Sequence, residues 1–76
     1  MDQNAEENST IGTRDLRTMA TVLEHSPAPV DHLVAIELLE KIDDRRQMTD
    51  DDRWRLGKLY IRVGIPEQAA PQFHQA

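Results

Sequence analysis

The stretch that decides the reading is RWRLGKLYIRVGIPEQAAPQFHQA, residues 53–76. It holds the only Trp, Tyr and Phe of a 76-residue chain, together with two of its three glycines and two of its four prolines. Leu56, Leu59, Tyr60 and Val63 recur at helical spacing, flanked by Trp54 and Ile61, and Gly64 stands where a helix C-terminus needs positive φ. Pro66 suits the first position of a next helix and Glu67 its first turn. Ala69, Ala70, Phe73 and Ala76 then supply a second helical face. Gly57 lets that second helix come close, with Ala69 as the small residue opposite and Phe73 filling the next layer. Pro71 is tolerable only if its missing N–H belongs to the first turn of that helix.

Working back toward the start, Thr49 followed by Asp50, Asp51 and Asp52 is the clearest helix-start signal. Thr49-x-x-Asp52 resembles a capping box, and three carboxylates suit the positive end of the dipole. A helix over 49–63 follows. The segment 30–42 is the most apolar. Leu33, Val34, Ile36, Leu38, Leu39 and Ile42 place its helix at the centre of the core, and the acidic pair Asp43-Asp44 argues for its ending near Ile42. Before it, Leu16, Met19, Ala20 and Leu23, widened by Val22, mark a helix over 13–26 capped by Thr13. Ser26-Pro27-Ala28-Pro29 stops it. Residues 1–12 read as a flexible acidic and polar tail with too little apolar surface to offset ordering. Helix four spans 66–76.

The pattern Leu56-Gly57-x-x-Tyr60, then Ala69-x-x-x-Phe73, resembles the helix hairpin of the tetratricopeptide repeat. The family's Trp lies three residues before the Leu. Here Arg53 holds that place and Trp54 follows it. Ala35, Leu39 and Ile42 fall 34 residues before Ala69, Phe73 and Ala76, and Val22 falls 34 before Leu56, so 13–42 resembles a degenerate first unit. The expected fold is all-α: two antiparallel helix hairpins in a short tetratricopeptide-like array.

The resemblance implies a protein-binding module whose first helices line a groove. Carried over by position, Asp51, Trp54, Arg55, Lys58, Ile61 and Arg62 point into or border that groove and would meet a peptide or protein segment, the cations suiting an acidic one. Two units are few for a stack. The chain is then a piece of a longer array, or it pairs with itself or with another protein through an open C-terminal edge made by Tyr60, Phe73 and Ala76. Self-association as the main act is one alternative function, and a small acidic regulator that masks a basic partner is another.

Charge and composition narrow the classes further. Fourteen acidic against nine basic residues give a net charge of -5, which disfavours nucleic-acid binding. No apolar run approaches a membrane span, no secretory leader is visible, and there is no cysteine. The expected setting is cytoplasmic. His25, His32 and His74 are not spaced as ligands, and the Asp clusters lack a cation loop, so no metal or cofactor is expected. Without a phosphate loop or an activated nucleophile, the chain reads as non-catalytic.

Overall fold

The computed structural model describes residues 11–75. Four helices follow in order: α1 (Thr13–Glu24), α2 (Pro29–Asp44), α3 (Asp50–Arg62) and α4 (Pro66–Gln75). There is no strand among the described residues. The helices pack closely as two hairpins, α1 with α2 and α3 with α4, and α2 carries the join between them by packing on α3. The all-α hairpin architecture expected from the sequence is the one observed. Ala76 and residues 1–10 of the expected tail lie outside the described residues. Ile11 does not belong to a tail: it packs on the core.

The core is one cluster of Leu16, Ala20, Ala35, Ile36, Leu39, Ile42, Leu56, Leu59, Tyr60 and Ala69, all buried. α2 contributes four of these and touches both neighbours, so it holds the centre. Leu33 and Val34, read as the start of its buried face, are instead exposed. Their positions lie outside the arc that α1 and α3 cover.

The helix ends explain the register. Thr49 and Asp52 form a complete capping box: the Asp52 N–H donates to Thr49 Oγ1 at 3.1 Å and the Thr49 N–H donates to Asp52 Oδ2 at 3.0 Å. α3 closes with Gly64 at φ 86°. There Ile65 N–H donates to the Tyr60 carbonyl at 2.9 Å and Gly64 N–H to the Ile61 carbonyl at 3.1 Å, the paired bonds of a Schellman end. Ile65 then packs against the core, which fixes the turn into α4.

Three boundaries differ from the sequence reading. Thr13 does not cap α1. Gly12 occupies the cap without a side-chain bond, and the Thr13 hydroxyl donates to the Gln47 side-chain carbonyl, tying the start of α1 to the α2–α3 connector. α1 also stops at Glu24, because Ser26 is drawn into the next turn: its hydroxyl donates to Asp31 Oδ2 at 2.6 Å and accepts from Ala28 N–H at 3.2 Å. α2 runs on through Asp43 and Asp44, despite their charge at the negative end of the dipole. Arg53 offsets part of this by reaching Asp43 at 3.3 Å. A second Schellman pair also closes that helix, Gln47 N–H to the Ile42 carbonyl at 3.2 Å and Arg46 N–H to the Asp43 carbonyl at 2.8 Å. The left-handed residue there is Arg46, φ 59°, where glycine would be the cheap choice. Finally, Pro71 is the sixth residue of α4, beyond its first turn, so the Glu67 carbonyl loses its helical donor.

Candidate functional site

The fold carries a polar seam joining α1 to α3, a strip of cations on that side, and an apolar groove on hairpin one.

The seam is built around Asp52, which is 1% exposed. Burial alone would push its carboxyl up. The Arg17 guanidinium and the Thr49 N–H and hydroxyl outweigh that and hold it below the ordinary aspartate value. Arg17 donates from Nε to both carboxylate oxygens, at 2.8 and 3.0 Å, and from Nη2 to Oδ2 at 2.6 Å. The same carboxylate holds the Arg17 proton more firmly than usual. Asp52 thus caps α3 and clamps α1 with one side chain. The sequence reading used only the first role. Arg17 was missed there, although it stands 35 residues before Asp52, close to the spacing at which the two hairpins match.

Farther along the seam, Arg55 Nη1 donates to Thr21 Oγ1 at 2.5 Å and Arg62 Nη1 to the Glu24 carbonyl at 3.1 Å. These partners are neutral oxygens. Among the described residues the ion pairs are Arg17–Asp52 and Arg53–Asp43. Arg55, Lys58 and Arg62 therefore face no carboxylate there, and neither does Arg14, which precedes Thr21 by two turns on the same side of α1. Asp51, one turn before Arg55, is exposed and is the acidic member of this surface. Of the six residues carried over from the repeat resemblance, Asp51, Arg55, Lys58 and Arg62 are brought together on the α1–α3 side. Trp54 and Ile61 lie along its α4 flank, each about half exposed.

Trp54 is held in place from one side. Its ring centroid is 4.7 Å from that of Phe73, with the planes tilted by 53°. Phe73 in turn lies on Gly57. A Cβ at that glycine would meet Phe73 Cε1 at 2.5 Å. Phe73 is therefore half-covered rather than presented as an edge. Tyr60 is removed from any edge altogether: it is buried, and its hydroxyl donates to Glu40 Oε2 at 2.5 Å. Burial first, then the Glu40 carboxylate, raise the Tyr60 pKa well above the ordinary phenol value. Ala76, the third member of the expected edge, is outside the described residues. The exposed positions of α4 are Pro66, Glu67, Gln68, Ala70, Pro71, His74 and Gln75, so its outer face mixes polar with small apolar side chains, and Ala70, expected on the packed face beside Ala69, lies on the outer one.

The apolar surface lies elsewhere. Thr18, Met19, Val22 and Leu23 of α1 and Val34 and Leu38 of α2 line an open groove of about 420 Å³. Met19 and Val22, expected to face the core, are on its wall. On α1 these residues lie away from Arg17, Thr21 and Glu24, so the groove opens on the side of hairpin one that α3 does not cover.

Among the described residues, no group of three His, Cys, Asp or Glu is placed to hold a metal ion, and no helix is long and apolar enough to cross a membrane. No protein-family model, curated protein or solved structure matches this chain.

Proposed function

We propose that this chain is a non-catalytic binding module that takes an acidic protein segment along its α1–α3 side. The observation that carries the reading is the strip formed by Arg14, Arg55, Lys58 and Arg62, cations with no carboxylate partner among the described residues of a chain whose net charge is -5. Cations left unpaired in an acidic protein steer anionic partners and supply charge-assisted hydrogen bonds once they arrive. Trp54 and Ile61 flank the strip and supply the apolar contact that a charge strip alone lacks. The resemblance of residues 53–76 to a tetratricopeptide hairpin supports the same choice of face, since that family uses the first helix of each unit.

Trp54 is the only tryptophan, so its fluorescence reports on this surface directly. The test is a titration with a glutamate-rich peptide carrying one leucine. A saturable change is expected, weakening as salt is raised. It should be lost in the Arg14→Glu/Lys58→Glu variant, whose two positions make no side-chain hydrogen bond that would unfold the chain. The reading fails if the parent shows no saturation, if a lysine-rich peptide binds equally well, or if that variant binds like the parent.

A further inference from the structure

We infer that the chain's own residues 1–10 lie along the α1–α3 cation strip and hold off other acidic segments. The inference rests on the reading of that strip as a site for acidic segments, and adds its regulation from within the chain.

The first argument is charge. Residues 1–10 are MDQNAEENST, with carboxylates at Asp2, Glu6 and Glu7 and no Lys, Arg or His. They join the described part through Ile11, which packs on the core, and Gly12, the N-cap of α1. The segment is therefore tethered at the end of α1 where Arg14, the first cation of the strip, lies. Its one large apolar side chain is Met1, so it has little to place in the apolar groove of hairpin one.

The second argument is register. The bonds Arg17–Asp52, Arg55–Thr21 and Arg62–Glu24 ascend in both helices, so α1 and α3 lie side by side in the same direction. Measured from Ile11, the level of Thr21 and Arg55 is about 15 Å along at the helical rise, and Lys58 and Arg62 follow about 5 and 10 Å farther. A segment leaving Ile11 beside α1 can cover about 3.3 Å per residue. Thr10, Ser9 and Asn8 come first, neutral where Asp50 and Asp51 open α3. Glu7 and Glu6 then arrive at about 13 and 16 Å, level with Arg55 and within a side chain's length of Lys58. Asp2 arrives at about 30 Å, enough to reach Arg62 with slack. The neutral stretch passes the acids of α3, and the acids of the segment meet its cations. A tether this short presents the segment at an effective concentration on the order of 1 mM, so even weak pairing competes with a peptide added from outside.

The experiment places a nitroxide on Ala5→Cys, the one thiol in a chain that has no cysteine of its own, and reads the paramagnetic broadening of backbone amide signals. Broadening should be stronger on Arg55, Lys58 and Arg62 than on Val34 and Leu38 across hairpin one. It should fall about twofold or more in the Asp2→Asn/Glu6→Gln/Glu7→Gln chain and on raising salt. The Trp54 titration with the glutamate-rich peptide is the second readout. The chain with the three acids neutralised should bind about threefold or more tightly than the parent. Glu6→Ser/Glu7→Thr/Ser9→Glu/Thr10→Glu keeps the net charge but sets two acids beside Asp50 and Asp51, and it too should bind more tightly than the parent. Broadening that is equal with and without the three acids overturns the inference. So does a moved-acid chain that binds as weakly as the parent, because net charge alone then explains the competition. The broadening needs no peptide, so the two readings fail separately. Chains that all leave the peptide free, the neutralised one included, overturn the strip as a site for outside segments, and the broadening still decides where residues 1–10 lie.

Discussion

Gly57→Ala should destabilise the protein, although it replaces glycine with the best helix former in the middle of a helix. Intrinsic propensity alone favours the change by about 1 kcal/mol. The new Cβ, however, would lie 2.5, 2.8 and 2.9 Å from Phe73 Cε1, Cζ and Cδ1. No real contact is so short, so the ring must leave its seat. Inserting a methyl into such a contact costs about 1–3 kcal/mol. Displacing the ring also loosens the Trp54 pair, worth about 0.5–1.5 kcal/mol. Taking middle values, the net loss is about 2 kcal/mol, with a fall in Tm of roughly 4–8 °C for each kcal/mol in a domain this size. The discriminating assay is a double-mutant cycle with Phe73→Ala, followed by urea unfolding. With the ring gone the clash is gone, and Gly57→Ala should become stabilising by up to about 1 kcal/mol. A substitution of the same sign and size in both backgrounds would refute the argument, because it would mean that Gly57 is not there to seat Phe73.

Other substitutions test the helix ends and the seam. Asp52→Ala removes a cap and leaves Arg17 unpaired, and should cost about 3 kcal/mol by urea unfolding. Because the folded state holds the Asp52 carboxyl below its ordinary value, its contribution is present above about pH 4 and is lost as pH falls through the folded pKa; the urea midpoint of Asp52→Asn should therefore depend less on pH in that acidic range than the parent's does. Arg46→Gly relieves a left-handed side chain at the end of α2 and should raise stability by about 0.5 kcal/mol after the entropy of the added glycine is deducted; a fall in Tm would show that the Arg46 side chain contributes more than its strain costs. Pro71→Ala restores a donor to the Glu67 carbonyl and should stabilise α4 by about 1–3 kcal/mol, visible as increased helical circular dichroism and a higher Tm.

Much of the fold was legible because its decisive signals are local. A capping box needs only a hydroxyl and an acid three residues apart, and Thr49 and Asp52 announce α3 without reference to the rest of the chain. Gly64 likewise marks its end. Arg46 shows why the end of α2 was harder to place. The same left-handed turn exists there, but the residue that usually betrays it is absent, and the dipole argument against Asp43 and Asp44 was overruled by contacts made later in the chain. For the surface, periodicity located the apolar arc of α1 and α2 but not which part of it a neighbour would cover. Met19, Val22, Leu33 and Val34 have the spacing of core residues and are exposed because hairpin two covers only one side of hairpin one. The buried carboxylate was hidden for a related reason: Asp52 is an ordinary first-turn acid until Arg17 arrives from a helix 35 residues earlier.

That arrangement also orders the two surfaces energetically. Arg17–Asp52 fixes hairpin one on hairpin two, and it does so on the α1 side that leads into the cation strip. Arg55 and Arg62 are held by neutral oxygens of α1, so their charges are positioned without being neutralised. Had Thr21 and Glu24 supplied carboxylates at those two points, Arg55 and Arg62 would be neutralised and the proposed strip would keep only the charges of Arg14 and Lys58. Glu24 is buried and offers its backbone carbonyl to Arg62. Under the proposed reading Arg55 and Arg62, already held by these bonds, lose less side-chain entropy on meeting a partner than Arg14 and Lys58, which no side-chain hydrogen bond holds. The same rigidity acts on the groove. α1 is braced by α3 from one side only, so its opposite face keeps Met19 and Val22 at fixed spacing against Val34 and Leu38.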